Sequence, residues 1–184
     1  MFVWLFIAFW RAEHSGAIFI TTPLVRAISA GVMLVAFWLF AAALIRKPPI
    51  LLTAETALAA PHSIFGIVRV TRHPFLWALV LWSIVHMLNN NDPAGLLLFG
   101  YFLLLALLGT WPIDKRRARL IGEERWRQIE CETSNVPFGA IIGGRQSAGA
   151  ALREMGWLVP LLALAAWGFV LTFHETFFGL PVFY

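Results

Sequence analysis

The run Pro93–Ile113 contains no charged residue and is rich in Leu and Phe. A helix needs about 20 residues, at ~1.5 Å of rise each, to cross a hydrocarbon core of roughly 30 Å. This run meets that requirement and is the clearest span in the sequence. Four other segments suit the same role. Phe2–Ile20 is apolar but interrupted by Arg11, Glu13 and His14, and Ala27–Ile45 is closed by Arg46-Lys47-Pro48-Pro49. Pro74–Asn90 is short and rich in Trp and Leu, and Met155–His174 follows Glu154. The expected fold class is therefore all-α, a polytopic transmembrane helix bundle of about five spans, in a single domain over residues 1–184.

Composition supports lipid as the solvent. Hydrophobic residues make up 60% of the 184-residue chain and charged residues 13%, against about 25% charged in soluble domains. One core in so short a chain cannot cover that much apolar surface, and mean hydropathy is +0.76. The single cysteine, Cys131, excludes an intrachain disulfide, and no Cys-x-x-Cys-His is present for covalent haem attachment. Met1–Ala8 lacks a basic leader and an obvious cleavage site, and reads as a retained first helix.

The net charge of +4 does not point to nucleic acid, because the basic residues sit between apolar runs. Arg46, Lys47, Arg69 and Arg72 precede the third span. Lys115, Arg116, Arg117, Arg119, Arg125, Arg127, Arg145 and Arg153 lie between the fourth and fifth. These two loops are separated by two spans and so share one side. The positive-inside rule assigns that side, and Met1, to the cytoplasm of a bacterial inner membrane. The linkers are expected as an interfacial stretch over Ile50–Ala60, a tight hairpin at Asn89–Asp92, a surface helix over Arg116–Ile129 and a helix start at Ser134-Asn135.

Ionisable groups at membrane depth are costly and mark functional hypotheses. His14 lies roughly 20 Å along the first span and His86 roughly 18 Å along the third, counted at the helical rise. Both spans run in the same direction, so the two reach a similar level. Two neutral imidazoles so placed suit the axial positions of a haem iron, since helix bundles build cofactor sites from facing side chains. Trp82 lies one turn from His86 and suits a porphyrin edge. Arg11, at i−3 from His14, suits a propionate. Polar packing among Arg11, Glu13 and His14 is the competing reading. His174 lies at the end of the fifth span, His73 at the cytoplasmic boundary and His62 in the preceding loop.

The run Thr71-Arg72-His73-Pro74-Phe75-Leu76-Trp77, with Leu81-Trp82 and His86-Met87-Leu88-Asn89, resembles the NnrU family, which is related to the 15-cis-zeta-carotene isomerases. The resemblance continues in Leu97-Leu98-Phe99-Gly100, in Thr133-Ser134-Asn135-Val136-Pro137-Phe138 and in His14-Ser15-Gly16. It implies a link to nitric oxide and nitrite metabolism in denitrification, or haem b used for redox-gated isomerisation of a polyene, with ligand positions resembling His14 and His86. An apolar small molecule or nitric oxide is the implied ligand. Asn90-Asn91-Asp92 stands where Asn-Gly-Asp is usual, and Asn also tolerates left-handed turn geometry.

Arg72-His73-Pro74 and Gly122-Glu123-Glu124-Arg125-Trp126 also resemble the membrane S-adenosylmethionine-dependent methyltransferases of isoprenylcysteine type. The aromatic-x-Gly expected after the proline is missing, and His14 and His86 would have no task there. A plainer reading of Arg72-His73-Pro74 is a helix start with Pro in the first turn and Arg at the headgroups. A cofactor-free accessory factor for nitrite or nitric oxide respiration is the non-enzymatic alternative.

Overall fold

The computed structural model describes residues 2–12, 16, 18, 21–45, 64–90, 92–180 and 182–183, and the regular structure among them is all-helical. The helices are α1 (Phe2–Arg11), α2 (Pro23–Ile45), α3 (Pro74–Asn89), α4 (Pro93–Ile121), α5 (Glu123–Glu132), α6 (Gly139–Ile142), α7 (Ala148–Met155) and α8 (Leu158–Phe178). A 3-10 turn, Gly66–Arg69, precedes α3.

Three helices, α2, α4 and α8, are long and apolar enough to cross a membrane. Their 23, 29 and 21 residues correspond to roughly 35, 43 and 31 Å of length. The 16 residues of α3 give only about 24 Å. This helix packs against both α2 and α4, while α8 packs on α2 and α1 docks on α4. The resulting order is α8, α2, α3, α4, α1. Small residues allow the close approach: Ala36, Ala41, Ala42 and Ala43 of α2 and Ala78 of α3 are all buried. Packing, rather than exclusion from water, holds apolar helices together in lipid. Leu97 is 77% exposed and Leu108 69% exposed on α4, so the apolar side chains face outward as well as inward. Trp167 of α8 donates from Nε1 to the Ala30 carbonyl of α2 at 2.9 Å.

Several boundaries differ from those expected. The first helix does not run from Phe2 to Ile20; it stops at Arg11, where the Ala12 amide bonds back to the Phe9 carbonyl at 3.2 Å. Gly16 and Ile18 are not helical. The second helix begins four residues before Ala27, because Thr22 Oγ1 accepts from the Val25 amide at 3.3 Å and Pro23 suits the first turn. The surface helix expected over Arg116–Ile129 is divided. Its first part continues α4 to Ile121, and Gly122, at φ 90°, turns the chain into α5. Ser134 and Asn135 are loop rather than helix start. The last long helix begins at Leu158, after a break at Gly156, where φ is 67°. The hairpin appears as expected, with Asp92 Oδ1 capping α4 through the Gly95 amide at 2.7 Å. Gly95 is needed there, since any Cβ would collide with the Asn90 carbonyl. Arg46, Lys47, His62, Asn91 and the stretch Ile50–Ala60 lie outside the described residues.

At the basic end of the bundle, α7 is tied to the 3-10 turn. Arg69 Nε and Nη2 bond the two Glu154 oxygens at 2.8 Å each, and the Gly66 amide donates to Glu154 Oε2 at 2.7 Å. The Arg69 hydrogen bond holds the Glu154 carboxyl below its ordinary pKa, overcoming partial burial. A depressed carboxyl stabilises the fold above its unfolded-state pKa, and this contribution is lost as pH falls through the folded-state value. Thermal unfolding in detergent should therefore show acid sensitivity below about pH 5 that Glu154→Gln reduces. An identical acid slope in the variant would rule out this clamp.

Candidate functional site

Two places in the bundle collect chemically capable side chains. The first lies near the hairpin end of α3. Residues four apart on a helix share a face, and His86 Nδ1 meets the Trp82 carbonyl at 2.8 Å. A carbonyl only accepts, so Nδ1 carries the proton and Nε2 keeps its lone pair. The His86 ring packs in a three-ring cluster, 4.8 Å from Trp82 and 4.9 Å from Phe99 of α4 between ring centres. Phe99 in turn meets Trp82 at 5.0 Å and Phe9 of α1 at 6.0 Å. Phe102 lies 5.7 Å from Trp82 and 5.8 Å from Phe6. The box thus joins α1, α3 and α4, and α1 runs antiparallel to α4, with Phe9 level with Phe99.

Of the residues expected here, His86 and Trp82 come together. His14 lies outside the described residues, and Glu13 and Ser15 with it. Arg11 is the exposed last residue of α1. Its expected face shared with His14 presumed a continuous helix, and the helix stops at Arg11. Phe99 entered the sequence reading only within the run Leu97-Leu98-Phe99-Gly100, without a site role, and Phe9 was not singled out. Their signal was only an aromatic residue one or two turns from a polar break, which most apolar helices also show. His174 is engaged elsewhere: its Nδ1 meets the Leu180 carbonyl at 2.7 Å, and its ring stacks on Phe178 at 4.9 Å.

The second place is at the opposite, basic end of α3. Pro74 does occupy the first turn of α3, but Arg72 does not reach out to headgroups. It is 9% exposed, and its Nη2 lies 3.0 Å from Asp114 Oδ2. His73 is fully buried, with Nε2 at 2.8 Å from Asp114 Oδ1, off the line of a good hydrogen bond. Arg117 Nη1 stands 3.7 Å from Asp114 Oδ1. Both guanidinium groups approach the Trp126 ring, at 5.7 Å for Arg72 and 5.9 Å for Arg117. The segment after α5 completes the enclosure, with Thr133 Oγ1 at 3.3 Å from Arg72 Nη1 and the Ser134 carbonyl accepting from the Arg72 amide at 2.9 Å. Burial lowers the His73 pKa, outweighing the opposing pull of Asp114, so the ring is neutral at neutral pH. Sequence reading missed Asp114 and Arg117. The available signal was Asp114 as the first charge after the longest apolar run.

The chain matches the family described as NnrU protein over residues 1–182. It is 36% identical over 104 residues to the chloroplastic 15-cis-zeta-carotene isomerase of Arabidopsis thaliana, covering 55% of this chain and 27% of that protein. It is 30% identical over 99 residues to the chloroplastic 15-cis-zeta-carotene isomerase of Zea mays, covering 54% of this chain and 27% of the relative. The matched region is thus about a quarter of each relative's length. No solved structure matches the chain. With nearly every residue inside the family match, the chain belongs to the NnrU family.

Proposed function

We propose that this is a membrane-integral haem b protein in which the imidazoles of His86 and His14 would hold the haem iron. The observation that carries this reading is the His86 ring, held by the Trp82 carbonyl with Nε2 left as its acceptor and packed against Trp82 and Phe99. Metal-ligating histidines commonly donate their second ring N–H to a carbonyl, which fixes the tautomer and raises ligand basicity. His86 therefore fits the role of an iron ligand by its tautomer. Trp82 and Phe99 hold the imidazole plane and keep water from it. Phe9 brings the end of α1, three residues before Ala12, into the same box. Bound haem would supply one-electron redox chemistry.

The relatives' names support isomerisation of a carotene as one task; redox gating by the haem and nitric oxide as a ligand are part of the proposal. The long apolar helices and their exposed Leu and Phe support residence in a bilayer, with the basic end towards the cytoplasm of a bacterial inner membrane.

The test is the visible spectrum of the protein purified in detergent and supplied with haemin, oxidised and reduced. The wild type should show a Soret band, and His86→Ala and His14→Ala should each lose it or shift it. His174→Ala should leave it unchanged. A colourless wild type after haemin loading overturns the proposal. In that case binding of S-adenosylmethionine would favour methyl transfer, and its absence an accessory role.

A further inference from the structure

The cluster at the basic end has more positive charge than its buried partners balance. Arg72 and Arg117 are 9% and 6% exposed, and they share one buried carboxylate, Asp114. His73 adds no compensating charge. The remaining anion near Arg72 is Glu130 Oε1 at 3.6 Å, on a side chain 43% exposed. Arg72 Nε and Arg117 Nη2 are buried without a hydrogen-bond partner among the described residues. Buried donors and charges without partners are costly, so this site is poised for an anion.

A cleft of about 430 Å³ opens onto Arg72. Lys115 and Arg127 line it as well, with Trp111, Trp126 and three carboxylates, Asp114, Glu123 and Glu130. It sits where α4 leaves its apolar run and meets α5. Lys115 Nζ lies 3.6 Å over the Trp111 ring, and Trp111 itself is 66% exposed. An exposed Trp paired with a Lys at the end of an apolar run is the pattern of a bilayer interface.

We propose that this cleft binds a phosphate ester, its oxygens meeting the Arg72 guanidinium with Lys115 and Arg127 closing over it. Arg72's planar fork suits such an oxyanion. Glu130 occupies the approach to Arg72 and swings out when the ligand enters. Two sources present this chemistry: the headgroup of an anionic phospholipid, which is concentrated at this level of a bilayer, and a soluble phosphate ester. The proposal rests on the bilayer reading for the first source only, and on the haem reading for neither.

The experiment is equilibrium binding to the full chain in detergent, with inorganic phosphate, short-chain phosphatidylglycerol and S-adenosylmethionine as separate probes. Phosphate and phosphatidylglycerol should compete for one site and weaken as salt rises. Glu130→Gln removes the competing carboxylate and should tighten binding about three- to tenfold, whereas Glu124→Gln, outside the cleft, should not change it. Lys115→Gln with Arg127→Gln, both exposed, should weaken it about as much without unfolding the chain. Phosphate binding without lipid binding assigns the soluble source. Equal affinities for Glu130→Gln and Glu124→Gln, no binding of either phosphate probe, or binding of S-adenosylmethionine alone each overturn the proposal. The haem spectrum, read on the same samples, tests the other site independently.

Discussion

Replacing Asp114 by alanine should destabilise the protein by about 3–5 kcal/mol, the usual cost of removing one partner from a buried ion pair. The carboxylate is the common partner of Arg72 at 3.0 Å, His73 at 2.8 Å and Arg117 at 3.7 Å. Without it two buried guanidinium groups near Trp126 are left with only the half-exposed Glu130, 3.6 Å from Arg72. The effect should be cooperative across elements, because Asp114 lies on α4, Arg72 and His73 begin α3, and Trp126 belongs to α5. Asp114→Asn keeps the shape and an acceptor but not the charge, and should fall between wild type and Asp114→Ala. Glu130→Gln, which removes the more exposed partner of Arg72, should cost less than about 1 kcal/mol. Thermal unfolding in detergent measures all three. Equal midpoints for Asp114→Ala and Glu130→Gln would show that the cluster does not depend on its buried carboxylate.

Phe99→Ala should have an effect of similar size, about 3–5 kcal/mol for a buried phenylalanine. Phe99 is 5% exposed and is the ring through which Phe9, Trp82 and His86 meet. Its removal leaves a cavity and also weakens the docking of α1, which packs chiefly on α4. Two readouts distinguish this from a general loss of stability. Amide exchange over residues 2–11 should rise more than exchange over α2, and the environment of His86 should change in the same variant. Leu97→Ala, on the same helix but 77% exposed, should alter neither. Unchanged α1 exchange in Phe99→Ala would mean that α1 is held by other contacts.

The unequal legibility of the two sites has a physical basis. His86 was legible because an ionisable group inside an apolar helix stands out against its neighbours, and Trp82 one turn away follows from helical periodicity. The pairing of Arg72 with Asp114 spans 42 positions, and no local pattern reports it. Arg72 before a proline at a helix start suggests a headgroup contact. Burial came instead from α5 and the loop at Thr133–Asn135 folding over it. The end of α1 falls at the polar interruption the sequence displays at Arg11, Glu13 and His14, but the apolar run resumes beyond it at Ala17–Ile20, so a single span was expected to cross it. The division of the Arg116–Ile129 helix depended on one glycine, which a helix tolerates at modest cost and which here takes a left-handed φ.

Composition and periodicity alone determined that this chain is a bundle of apolar helices with its positive charge gathered at one end. They did so because apolar runs of this length cannot be hidden in so small a protein. Tertiary structure alone decided which side chains meet: the box of Phe9, Trp82, His86 and Phe99, and the enclosure of Arg72, His73, Asp114 and Arg117. Those contacts join helices that are distant in sequence, and their energies depend on burial, which no single segment carries within itself.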